Sequence, residues 1–135
     1  MNLIAMVGKN PSRVGAILAL GTLPLHVIVS QSVSIQVAAI VLTLVAGIYV
    51  GFAVHDGRSV ILAAESLVAL AFASAALAGL IMTHWAIPVA YMLHGFWALA
   101  HHRRITTSMP GWYVPFCAVF DWVFAAGLTA IWILR

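Results

Sequence analysis

The stretch VILAAESLVALAFASAALAGLIM, residues 60–82, decides the fold: it is apolar from end to end except for small hydroxyls and one carboxylate, Glu65. A helix needs about 20 such residues to cross the ~30 Å hydrocarbon layer of a bilayer, and this run supplies them without a break. Further apolar runs lie on either side, at residues 14–30, 35–54, 85–102 and 114–134. The expected fold is therefore all-α, an integral membrane bundle of five transmembrane helices forming one domain over residues 1–135. The first and fourth runs are short. The first also contains Pro24, so a kinked or re-entrant first segment leaves a four-span alternative.

Composition points the same way. Of 135 residues, 64% are hydrophobic and 7% charged, and the mean hydropathy is +1.12. A soluble domain of this size would have to present a largely apolar surface. The connections between runs are too short for a separate soluble domain, so any functional site belongs in the bundle or at its rim. Six Lys and Arg against three acids is a surplus too small and dispersed for nucleic acid. A single cysteine, Cys117, excludes an intramolecular disulfide.

The basic residues instead carry topology. Lys9 and Arg13 precede the first run, Arg58 follows the second, and Arg103 and Arg104 follow the fourth, while the connections QSVS and THW carry no Lys or Arg. By the positive-inside rule this places the N-terminus in the cytoplasm and the C-terminus outside, with the bacterial inner membrane as the expected location. Only Arg135 falls on the wrong side. The first run is read as a retained span, since no clear small-residue cleavage site follows it. Trp85, Trp112, Tyr113 and Trp132, near the expected helix ends, form an aromatic belt at the membrane interfaces. Ala71, Ala75 and Gly79, spaced by four on the third run, favour close helix packing within the bundle over an oligomer interface.

Ionisable groups inside such runs are costly, ~2.5 kcal/mol or more each, and mark candidate chemistry. Glu65 and Asp121 are two of the three acids in the chain, and His94 sits in the middle of the fourth run. With a rise of ~1.5 Å per residue from the cytoplasmic ends, Glu65 lies roughly 8 Å deep, Cys117 slightly less, and His94 and Asp121 about 12 to 14 Å. Tyr113, Cys117 and Asp121 repeat every fourth residue and share a helix face, as do His94, Ala98 and His101. A polar pocket opening toward the cytoplasm follows, with His55, Asp56, His101, His102, Arg103 and Arg104 at its mouth.

Imidazole with carboxylate suits Zn, Fe, Mn or Cu, and a Cys117 thiolate would tilt the set toward softer ions. His94 and His101 are two turns apart, about 10 Å along the helix, so they cannot share one ion. Either His94, Asp121 and Glu65 form a deep centre, or His101, His102 and His55 form a shallow one, or both exist as a stacked pair. Each position also has a plainer reading. His94 and Asp121 can be a buried hydrogen-bonded pair fixing two helices. His101, His102, Arg103 and Arg104 can be a basic cap meeting lipid phosphates. Glu65 can bond Tyr49, Tyr91 or a histidine of the fourth run, Cys117 can be a small buried hydrophobe, and His26 a partner of the Pro24 kink.

Several classes are excluded by what is missing. No lysine lies within a run, so a retinal Schiff base is impossible. The motifs HExxH, GxSxG, GxxxxGK, GxGxxG and CxxCH are all absent. Haem b stays open, since two histidines on facing helices would suffice, but no spacing demands it.

The segments LHGFWALAHH and PGWYVPFCAVFDWVFAAGL, carrying His94, Trp97, His101, His102, Cys117 and Asp121, resemble a family of small bacterial integral membrane proteins. That family's pattern is a histidine, a Trp-Asp pair and a double histidine in one helix, followed by a Cys and an Asp in the next. A looser likeness covers YVGFAVHDGR and Glu65. This chain has Ala98 where the pattern places Asp, which removes one potential ligand, and the resemblance implies no particular activity.

The expected function is an intramembrane metal site acting on a hydrophobic substrate or in redox chemistry. His94 and Asp121 are first ligands, Glu65 is a third ligand or general base, and His101 and His102 form an outer set. Two alternatives stand beside it: a proton- or cation-coupled carrier using Glu65, His94 and Asp121 in turn, and a non-catalytic subunit of a larger membrane complex or homo-oligomer.

Overall fold

The structure, a computed structural model, describes residues 3–102 and 109–135. Six helices follow in order: α1 (Leu3–Lys9), α2 (Pro11–Ile28), α3 (Gln31–Asp56), α4 (Ser59–Ile81), α5 (Ala86–Ala100) and α6 (Tyr113–Ile133). No strand occurs among the described residues. Helices α2, α3, α4 and α6 are each long and apolar enough to cross a membrane, and the chain is an integral membrane protein. The seven-residue α1 is too short to stand out as an apolar run.

The shortfall in span length falls on the fourth run rather than the first. Helix α2 passes through Pro24 unbroken for 18 residues. One missing backbone N–H is tolerated where neighbouring helices hold the segment. Helix α5 has only 15 residues, about 22 Å at 1.5 Å each. Turns lengthen it at both ends: Ala86 and Ile87 N–H bond to the carbonyls of Thr83 and His84, and His101 and His102 N–H to those of Ala98 and Leu99.

Local chemistry explains the boundaries. Ser30 caps α3 by accepting from the Val33 N–H at 3.4 Å. Gly57 ends the same helix with φ 81°, a left-handed conformation that glycine adopts without a Cβ clash, and Arg58 then forks onto Asp56 at 2.5 and 3.0 Å. Pro88 and Pro115 both sit in a first turn, where the missing N–H has no intrahelical partner to lose.

Around the bundle, α2 packs on α6, α6 on α5, α5 on α4 and α4 on α3, with α5 also touching α3. The α2–α6 approach is close at Gly15, where a methyl group would stand 2.3 Å from the Phe116 carbonyl oxygen, and at Gly127, where it would stand 2.2 Å from Leu23 Cδ1. Of the expected small-residue stripe on α4, Gly79 packs inward against Ile87, Ala75 is half-buried and Ala71 is exposed. The core is built from Ala38, Leu42, Ile87, Tyr91, Phe124 and Leu128, all essentially without solvent exposure. The Tyr91 hydroxyl donates to the Ala38 carbonyl at 2.9 Å and locks α5 to α3. Large aliphatic side chains such as Ile17, Leu44, Leu67 and Leu70 cover the outside, as a lipid-facing surface requires.

Two expected belt residues turn inward instead. Trp85 and Trp112 are exposed, whereas Tyr113 and Trp132 are buried. The Trp132 indole donates to the Ser34 hydroxyl at 2.9 Å, and Ser34 also meets His26 Nδ1 at 2.8 Å. His26 thus ties α2 to α3 and does not serve the Pro24 segment. At the same end, Arg135 Nη2 donates to the carbonyls of Val27 (2.5 Å) and Val29 (2.9 Å). The one basic residue at odds with the charge pattern therefore caps the C-terminus of α2, where a cation is favoured.

Candidate functional site

The alternation of α3, α4, α5 and α6 carries Tyr49, Glu65, His94, His101, Cys117 and Asp121 into one half of the bundle. Helix α4 buries Glu65, Phe72, Ala76 and Gly79, at spacings of seven, four and three that keep them on one face. Helix α5 turns His94, Ala98 and His101 inward, and α6 does the same with Tyr113, Cys117 and Asp121, the two shared faces expected from the spacing.

Two histidine–carboxylate pairs result. In the deeper one, His94 Nδ1 lies 2.7 Å from Asp121 Oδ2, and both side chains are fully buried. In the outer one, His101 Nε2 pairs with Glu65 Oε1, while the Trp97 indole donates to Glu65 Oε2 at 3.1 Å. His101 Nδ1 lies 2.7 Å from the Trp97 carbonyl. A carbonyl can only accept, so Nδ1 carries a proton and the contact between Nε2 and Glu65 must hold exactly one more. The outer pair is a one-proton bridge, fixed at both of its ends.

The Tyr49 ring separates the two pairs. It meets His94 edge-on at a centroid distance of 5.1 Å and His101 at 4.9 Å, and Phe72 also meets His94 edge-on at 4.9 Å. Cys117 completes the deep layer. Its thiol donates to Asp121 Oδ2 at 3.6 Å, and one ligand atom each from His94, Cys117 and Asp121 all fall within 4.8 Å of one another. No other such grouping of three occurs among the described residues.

The deep layer is also where polar valences are left over. Among the described residues, buried side-chain atoms without a hydrogen-bond partner are Tyr49 Oη, His94 Nε2, Asp121 Oδ1 and His84 Nε2, the last at the opposite end of the bundle. Each such atom left unpaired costs about 1–3 kcal/mol, so this layer is where a bound group would recover most.

The ligand sets expected from the sequence are partly rearranged. His94 and Asp121 meet as their matched depths require, but Glu65 pairs with His101 and does not join them in a deep centre. Tyr91, one of the partners open to Glu65, bonds Ala38 instead. The shallow set is not assembled: His101 is buried, while His102 and His55 are exposed. Arg103 and Arg104, assigned to the basic rim, lie outside the described residues. Cys117 enters the deep set through a signal already in the sequence, its position one turn before Asp121 on the same face. A depression of about 580 Å³ lies at the opposite end, around Gln31, Gln36, Thr83 and His84, away from both pairs.

Comparisons of the chain with protein-family models, curated proteins and solved structures give no match.

Proposed function

We propose that this membrane protein binds a transition-metal ion inside the bundle through His94, Cys117 and Asp121 and acts there on a hydrophobic substrate or in redox chemistry. The carrying observation is the convergence of imidazole, thiol and carboxylate within 4.8 Å, with His94 Nε2 and Asp121 Oδ1 otherwise unpartnered. A nitrogen, a sulfur and an oxygen donor form the mixed set that suits Zn, Fe or Cu better than Mg or Ca. Three protein ligands leave a coordination position open, which is the pattern of catalytic rather than structural zinc sites. Bound there, the ion would supply Lewis acidity or an electron-transfer centre. The chain's own residues do the rest. Asp121 orients His94, Phe72 and Tyr49 keep water away from both, and the Glu65–His101 bridge holds a transferable proton one layer out. Glu65 is then a general base rather than a ligand.

Orientation follows from charge: Lys9, Arg13 and Arg58 lie at the His101 end, which is read as cytoplasmic, with the C-terminus outside and the bacterial inner membrane as host. Of the six residues that carry the resemblance to the small bacterial membrane family, His94, His101 and Asp121 belong to the two pairs. Haem b has less support, because His94 and His101 each already pair with a carboxylate.

A test uses cobalt(II) as a coloured stand-in. Purified protein reconstituted with Co²⁺ is expected to show a thiolate-to-cobalt charge-transfer band that disappears in Cys117→Ser. Absence of any cobalt-dependent band in the unmodified protein contradicts the ligand set.

The second reading, a proton or cation path, is favoured by the outer pair, which places a second carboxylate and imidazole two turns from the first with Tyr49 between them. It predicts pH-driven flux in proteoliposomes that Glu65→Gln abolishes.

A further inference from the structure

A groove of about 470 Å³ runs between α4 and α5 on the lipid-facing side. Its floor is made of small residues, Ala71, Ala75 and Ala90, and Val68 lines its outer half. Almost nothing polar reaches it, so an alkyl chain suits it and a hydrated ligand does not. Its inner wall separates it from the buried pairs by single side chains. Phe72 lies edge-on to His94, and Trp97 holds Glu65 by its indole N–H and packs on His101 with centroids 5.1 Å apart.

The antiparallel register gives the groove a direction. Ala75 lies near Ala90 at its deep end and Val68 near Trp97 at its outer end, a length of about 10 Å at 1.5 Å per residue. One turn further along both helices come Glu65 and His101, the outer pair. The apolar trough runs toward a polar layer from which the Trp97 ring separates it, so an amphiphile entering tail first would lie with its head on that side.

We infer that the α4–α5 groove holds the alkyl tail of a single-chain amphiphile drawn from the bilayer, with its polar head beside the Glu65–His101 pair. This names the substrate class of the site proposed above and rests on that reading. A comparable trough between α3 and α4, about 340 Å³ around Thr43, Ala73 and Leu77, meets neither pair and serves as an internal control.

The probe is a long-chain fatty acid with a mid-chain diazirine, photolysed with the intact protein in phospholipid nanodiscs and mapped by peptide mass spectrometry. Labelling of α4 and α5 at the groove is expected to saturate and to be competed by unlabelled fatty acid, whereas α3–α4 labelling rises linearly with probe. Ala75→Phe should raise the half-saturating concentration several-fold by removing the packing contacts of the tail in the groove, since the competing environment is lipid and burial from water does not enter. If that variant does not fold, Leu93→Trp narrows the groove from its exposed wall with the same expected result. Linear labelling at both troughs, or saturation unchanged by a folded groove-filling variant, overturns the inference. Metal content measured on the same samples reports separately: saturable labelling of metal-free protein contradicts the metal reading alone, and linear labelling of metal-loaded protein contradicts the amphiphile alone.

Discussion

Replacing Glu65 in two ways separates a hydrogen-bonded bridge from a side chain that matters only as packing. Glu65 accepts from the Trp97 indole and shares one proton with His101 Nε2, whose other nitrogen is committed to the Trp97 carbonyl. In Glu65→Gln the amide oxygen still accepts from Trp97, and the amide N–H₂ can donate to a neutral His101 Nε2. Both contacts survive, and the stability change should stay within about 1 kcal/mol, the usual scale of intramembrane hydrogen bonds. In Glu65→Leu the volume is nearly kept, but two buried groups lose their partner at ~1–3 kcal/mol each, or about 2–6 kcal/mol together. The assay is equilibrium unfolding in mixed micelles, followed by circular dichroism for both variants. Equal losses for Gln and Leu would refute the bridge assignment, since they would mean that the hydrogen-bonding capacity at residue 65 contributes nothing.

Three further outcomes follow from the packing and the donor set. Gly15→Ala sets a methyl group 2.3 Å from the Phe116 carbonyl oxygen and should cost about 1–3 kcal/mol by overpacking, while Gly21→Ala, with open space around it, should be neutral or stabilising in the same unfolding assay. Tyr49→Phe keeps the ring between His94 and His101 and removes a buried hydroxyl that faces the Cys117 thiol without a well-formed hydrogen bond, so stability should change by less than about 1 kcal/mol; a larger loss shows that the hydroxyl–thiol contact is a working hydrogen bond. Metal uptake at His94, Cys117 and Asp121 must displace the thiol proton of Cys117, because the thiolate is the ligand. Affinity should therefore fall as pH falls, with protons released on binding, which titration calorimetry in buffers of different ionisation enthalpy can count.

Hydropathy was sufficient to find α2 to α6, though not the seven-residue α1, because each long apolar run has only one low-energy solution in a bilayer. Depth counting went further and matched His94 with Asp121, since rise per residue is the same in every helix. The partner of Glu65 was beyond such counting. Choosing among Tyr49, Tyr91 and a histidine needs the lateral order of the helices and the rotation of each. In a membrane protein, lipid-facing and core-facing positions are both apolar, so the hydrophobic pattern that orients a soluble helix is nearly absent. The same blindness hid the inward turn of Trp132 toward Ser34 and His26. Cys117 is a different case: its place one turn from Asp121 was legible, but a lone buried thiol reads equally well as a small hydrophobe until His94 is seen beside it.

The central claim is that the deep layer is a metal site rather than a self-sufficient polar clasp. The most direct test is elemental analysis of the protein purified in mild detergent without chelators, beside folded His94→Ala and Glu65→Gln variants. The account predicts near-stoichiometric Zn, Fe or Cu in the unmodified protein, retained in Glu65→Gln and lost in His94→Ala. Protein that is metal-free and stays so after incubation with each of those ions, or that keeps its metal when His94 is removed, contradicts it.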